Sequence, residues 1–270
     1  MPYLRCVSKV VSILMLGVVS ILVGSCTDSE PSTASTQEVL TERLYLGLED
    51  ASCQEALASA IASGDLSDAF HCSAFVDRVL AEFRSEYLQG LRSEDIVVEL
   101  IDYEQIRLFQ PKPVRSWAQH EFDRMLALHR ARDSYLGGRI HLTEVQIRFL
   151  DNLFFDEINM GCTNFVTVSF QHLLGRQPTR HELIAGETMC RGDSATLLFE
   201  EGAGKRSFLE ILTRSGNYRE HQLRSWYEFL YYKPLAEQEA PVLLHQLETR
   251  HPDGATIDDI LVLLLERSAS

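Results

Sequence analysis

Residues 170–183 read FQHLLGRQPTRHEL, and that order of residue types describes a helix, its end and the start of another. Phe170, Leu173 and Leu174, with Val166 before them, are spaced for one apolar face at 3.6 residues per turn. Gly175 stands where a left-handed residue can close a helix, and Pro178 blocks its continuation. Thr179 and Glu182 stand in the capping-box relation, in which hydroxyl and N3 carboxylate satisfy each other's free amides. The stretch predicts two helices joined by a short turn.

The same signals recur outward from this junction. Thr143 with Gln146 and Ser207 with Glu210 fit the capping box, and Thr256 with Asp259 is a near match. Ile257, Ile260, Leu261, Leu264 and Leu265 form a second apolar face at helical spacing. Pro111 and Pro113 interrupt the chain before a helix expected near Ser116, and Gly137-Gly138 ends it. No stretch alternates convincingly as strands do. The predicted fold is all-α, with helical repeats and no substantial β-sheet.

Internal similarity supports repeats. Residues 172–182 line up with 229–239, and 208–215 with 261–268, which sets a unit of roughly 55 residues. The expected organisation is an N-terminal helical region at 37–160 and two repeats at about 161–220 and 221–270. A weaker third copy is expected near 40–90. Residues 165–183, followed by RSFLEILTRSGNY at 206–218, resemble the linker repeat of phycobilisome rod linkers and related bacterial repeat domains. There an LLGR-x-P-T-x-x-E junction precedes a helix ending in S-x-x-Y. The resemblance covers the C-terminal repeats and implies a helical, protein-binding scaffold. Antenna assembly does not carry over, because this chain is acidic and carries an export signal.

That signal lies at the N-terminus. Arg5 and Lys9 precede an apolar run at residues 10–23, too short for the ~20 residues of a spanning helix but suited to a signal-peptide core. Val23-Gly24-Ser25-Cys26 resembles the lipobox of bacterial lipoproteins. The resemblance implies a cleaved leader at 1–25 and diacylation on the sulfur of Cys26, which becomes the new N-terminus. Residues 27–36, TDSEPSTAST, then read as a flexible tether. The expected destination is a bacterial membrane, with the body in the periplasm or at the cell surface and the outer membrane preferred.

The chain has 270 residues and a formal net charge of −14. Such a surface repels nucleic acid and anionic headgroups, so the lipid rather than basic side chains is expected to supply membrane affinity. With Cys6 in the leader and Cys26 lipidated, Cys53, Cys72, Cys162 and Cys190 remain. Four cysteines in an exported chain allow three pairings, and Cys53–Cys72 with Cys162–Cys190 is favoured because each pair falls within one helical stretch. No two of them have zinc-knuckle spacing, so no metal is expected.

Other motifs have plain readings. Arg191-Gly192-Asp193-Ser194 spells an integrin tripeptide but reads as a polar turn. Gly192-Asp193-Ser194-Ala195 lacks the strand and later Asp-x-x-His of a hydrolase elbow. Gly202-Ala203-Gly204-Lys205 lacks the first Walker glycine, with Phe199 in its place, and Arg206 follows the lysine. His172 and His181 are read as ordinary helix residues rather than ligands. Leu223, Trp226, Tyr227 and Leu230 share a helical face and read as core, whereas Tyr231 and Tyr232 are candidate contacts for a protein or glycan. No catalytic residue and no cofactor is assigned. The expected function is a non-enzymatic, membrane-anchored scaffold for another envelope or surface protein, without nucleic acid. The alternatives are an enzyme or accessory subunit with a cleft in residues 90–160, and a glycan-binding module using the 226–232 aromatics.

Overall fold

The 170–183 junction forms as its residues dictate. Helix α8, Cys162–Leu174, buries Val166, Phe170, Leu173 and Leu174, and Gly175 closes it in the left-handed region at φ 64°. Thr179 caps α9, Arg180–Cys190, and its amide donates to Glu182 Oε2 at 2.7 Å while the Glu182 amide donates to Thr179 Oγ1 at 3.3 Å. The structure is a computed structural model describing residues 51–63, 66–252 and 254–269. Cys26, the leader and the tether lie outside the described residues.

Before this junction run α1 (Ala51–Ser63), a 3₁₀ turn (Leu66–Phe70), α2 (Ser73–Tyr87), α3 (Ser93–Phe109), α4 (Lys112–His129), α5 (Ala131–Leu136), α6 (Leu142–Leu150) and α7 (Leu153–Ile158). After it come strands β1 (Ser194–Leu197) and β2 (Glu200–Ala203), then α10 (Gly204–Arg214), α11 (Gly216–Tyr231), α12 (Ala240–Arg250) and α13 (Ile257–Ala269). The fold is all-α with one small hairpin. Among the described residues, no helix is long and apolar enough to cross a membrane.

One buried apolar cluster extends from Cys53 to Leu265, so both C-terminal stretches share a core with α1–α7. The order α8–α9–α10 is echoed by α11–α12–α13. Gly175 and its aligned partner Tyr232, at φ 53°, both end their helices left-handed. Both expected disulfides form: Cys53–Cys72 ties α1 to the start of α2, and Cys162–Cys190 ties the start of α8 to the end of α9. In a chain-entropy description, loops of this size contribute roughly 3 kcal/mol each.

Several local expectations are corrected. Helix α4 begins at Lys112, four residues before Ser116, with Pro113 inside its first turn, where a missing amide is harmless. Thr143 lies inside α6, and its hydroxyl accepts from the Ile257 amide at 2.9 Å instead of capping its own helix. Ser207 likewise lies inside α10. Thr256 and Asp259 do form a reciprocal pair at the start of α13. The hairpin has no turn signature in the sequence, because Leu198 and Phe199 make its two-residue turn, both at positive φ, where Asn-Gly would be usual.

Candidate binding cleft

Helix α2 presents Val79, Phe83 and Tyr87 at helical spacing, with Glu82 and Glu86 on the adjoining, exposed edge. Helix α11 faces it with Gln222, Trp226 and Phe229. Between them lies a cleft of about 220 Å³ that His172 of α8, His221 of α11 and Gln146 of α6 complete. Its walls are aromatic: Phe83 and Trp226 meet edge-on at 6.4 Å between ring centroids, and Trp226 and Phe229 at 5.2 Å.

The floor is polar and matched internally. Gln146, 1% exposed, donates from Nε2 to Tyr87 Oη at 2.7 Å and accepts at Oε1 from Tyr218 Oη at 2.8 Å. Burial pushes both phenols well above their ordinary value, so both keep their protons and serve as hydroxyls. The Trp226 indole donates to Gln222 Oε1 at 3.2 Å. One glutamine thus joins α2, α6 and α11 beneath the cleft.

The rim is acidic and carries both histidines. His172 Nδ1 lies 2.9 Å from Glu86 Oε1, and its ring meets Tyr87 edge-on at 4.8 Å. Because an ionised carboxylate only accepts, this pairing places a proton on Nδ1 of His172. Burial holds His221 below the usual histidine value, against the opposing pull of Glu86, so its ring is neutral near pH 7. His221 fits there because Gly175 has no side chain.

Beyond Phe229 the cleft opens onto a cationic and aromatic cluster. The Arg78 guanidinium sits 4.4 Å from the Phe229 ring centroid and donates to Tyr232 Oη at 2.5 Å. Tyr232 is therefore a surface residue bordering the cleft. Tyr231 is not: it is half-buried, stacks on Tyr227 and donates to the Leu264 carbonyl at 2.7 Å. Leu223, Trp226, Tyr227 and Leu230 are buried, as their spacing predicts.

The remaining motifs have structural roles. His181 is exposed on α9, while His172 partners Glu86 across the cleft. Ser194 sits in β1 and donates to Glu201 at 3.0 Å. Gly202 is needed for close packing against Ser207 and Met189, and Lys205 pairs with Asp156 at 2.6 Å. Arg191 caps the end of α9, and Gly192 turns the chain at φ 93°. Of residues 90–160, Gln146 alone reaches the cleft, which is built chiefly by α2 and α11. Glu86 and His221 carried no sequence signal, since their meeting depends on helices distant in the chain. Among the described residues no group of three or more His, Cys, Asp or Glu is placed to hold a metal ion. The chain matches no protein-family model, and neither a curated protein nor a solved structure matches it.

Proposed function

We propose that the chain is a bacterial lipoprotein held by acyl chains on Cys26, whose helical body is a non-enzymatic scaffold that binds another envelope or surface protein. The observation that carries the binding half is the joining of an aromatic wall (Phe83, Trp226, Phe229) to an acidic rim (Glu82, Glu86) in one cleft. The polar groups of its floor are already matched by Gln146, so an occupant gains affinity from apolar burial and from the charge of the rim. A partner's lysine or arginine suits both, because its methylene stem can lie on the aromatics while the cation meets Glu82 and Glu86. The anchoring half rests on the charge, length and lipobox pattern of residues 1–26.

Two measurements test this reading. Metabolic labelling with an alkyne fatty acid should mark the wild-type protein and not Cys26→Ser. Affinity capture from detergent-solubilised membranes should recover a protein with the wild type that Glu82→Lys/Glu86→Lys loses. Identical recovery by both would remove the cleft from the binding role. A second reading, acid–base chemistry on envelope material, has the Glu86–His172 pair beside His221 in its favour. It requires that His172→Asn abolish a turnover measured on isolated envelope fractions while leaving partner capture intact.

A further inference from the structure

Helices α3 and α4 pack on each other as a hairpin, and its end differs from the rest of the molecule. Every residue from Leu108 to Trp117 is exposed, including four apolar side chains: Phe109 at 80%, Leu108 at 56%, Trp117 at 51% and Val114 at 40%. Exposed apolar groups gathered at one tip mark a contact surface. The local charge is also reversed. Residues 105–120 contain Arg107, Lys112 and Arg115 and no carboxylate, in a chain of net charge −14. Arg107, Lys112, Arg115, Ser116 and Gln119 line an open groove of about 530 Å³. Arg107 is held by Glu104 at 2.6 Å, whereas Lys112 and Arg115 form no ion pair among the described residues.

We infer that the α3–α4 tip docks onto an anionic phospholipid surface, with Lys112 and Arg115 at the headgroup phosphates and Phe109, Val114 and Trp117 in the interfacial layer. Aromatic and aliphatic side chains flanked by cations are the chemistry of interfacial binding, and each basic side chain near such a surface adds attraction that salt screens. A purely apolar partner surface would leave the groove cations unmatched. An anionic bilayer meets both halves of the tip at once. The contact stands without the acyl anchor, and where the anchor holds it would orient the body against the same membrane.

Trp117 reports the contact directly, because Trp226 is only 5% exposed and supplies a constant background. The full chain is reconstituted into vesicles of phosphatidylcholine alone, or with one part in three phosphatidylglycerol, each containing bromine-labelled acyl chains. In the anionic vesicles Trp117 emission should shift to the blue and be quenched, and Trp117→Phe should lose that signal. Lys112→Gln/Arg115→Gln should weaken tip binding roughly thirtyfold, and molar salt should reverse it. These positions are exposed, and the unchanged Trp226 emission reports folding. Trp117 remaining unquenched on anionic vesicles overturns the inference, as does quenching that is equal in neutral vesicles and insensitive to the double variant. Failure of the acyl anchor would instead appear in the labelling of Cys26→Ser.

Discussion

Gly175 and His221 occupy adjoining space so tightly that a methyl group built on Gly175 would stand 2.5 Å from His221 Nδ1. The glycine that ends α8 is thus also the gap in which a cleft histidine rests. Gly175→Ala combines a left-handed residue bearing a Cβ with an overpacked contact. It should cost about 2–4 kcal/mol in denaturant unfolding. Gly175→Asn relieves the backbone strain alone and should recover only part of the loss. A change below 0.5 kcal/mol for the alanine variant would refute the contact.

Gln146 holds the hydroxyls of Tyr87 and Tyr218 from opposite ends of its amide. Gln146→Leu keeps volume and removes both partners, which should destabilise by about 2–4 kcal/mol. Tyr87→Phe in the same background should return part of that loss, because it removes the buried hydroxyl that has lost its bond to Gln146. Additive losses in this double-mutant cycle would show that the pair is not coupled.

Glu182 receives Arg176 through two hydrogen bonds and the Thr179 amide through a third. Arg176 chiefly, with Thr179, lowers its carboxyl to about 2 from the ordinary 4.5. A carboxylate depressed in the folded state contributes stability above its unfolded value and loses it as pH falls through the folded one. Glu182→Gln should therefore be about 1–2 kcal/mol less stable at neutral pH. That difference should shrink between about pH 4.5 and 2. A pH-independent difference would argue against the pairing.

Arg124 gathers Glu121 at 2.9 Å, Asp151 at 3.1 Å and Asp156 at 2.8 Å, all largely buried. Burial already raises the Asp151 carboxyl despite this cation. Arg124→Met leaves three crowded carboxylates with only Lys205 on Asp156 and the charge of Arg206 acting on Asp151, and should cost about 3–5 kcal/mol at pH 7. Acidification should narrow the gap to wild type, because protonation removes the unpaired charge. Unfolding midpoints at pH 7 and pH 5 read both effects, and a gap under 1 kcal/mol at pH 7 would contradict the network.

Much of the fold was legible in residues whose effects are local. Phe170 to Leu183 carry their helix, stop and cap within one window, and Ile257 to Leu265 carry a face. Thr143 and Ser207 misled because a hydroxyl followed by Glu or Gln also occurs inside helices, where a distant partner such as Ile257 can claim the oxygen. The cleft was not legible: Glu86, Gln146, His172 and His221 lie on four helices. The total charge also concealed the α3–α4 tip, since an average over the chain says nothing about where cations cluster.

By itself, the sequence determined the helical class, the end of α8 and the start of α9, the buried faces of α11 and α13, and the preferred cysteine pairs. Each depends on spacing within a few turns of chain. Tertiary structure alone decided that Gly175 makes room for His221, that Gln146 ties two tyrosines, and that Tyr231 packs while Tyr232 borders a cleft. It also decided that Leu108 to Trp117 stand in solvent. These follow from which helices meet, a choice made by the summed burial of the whole core rather than by any one window of residues.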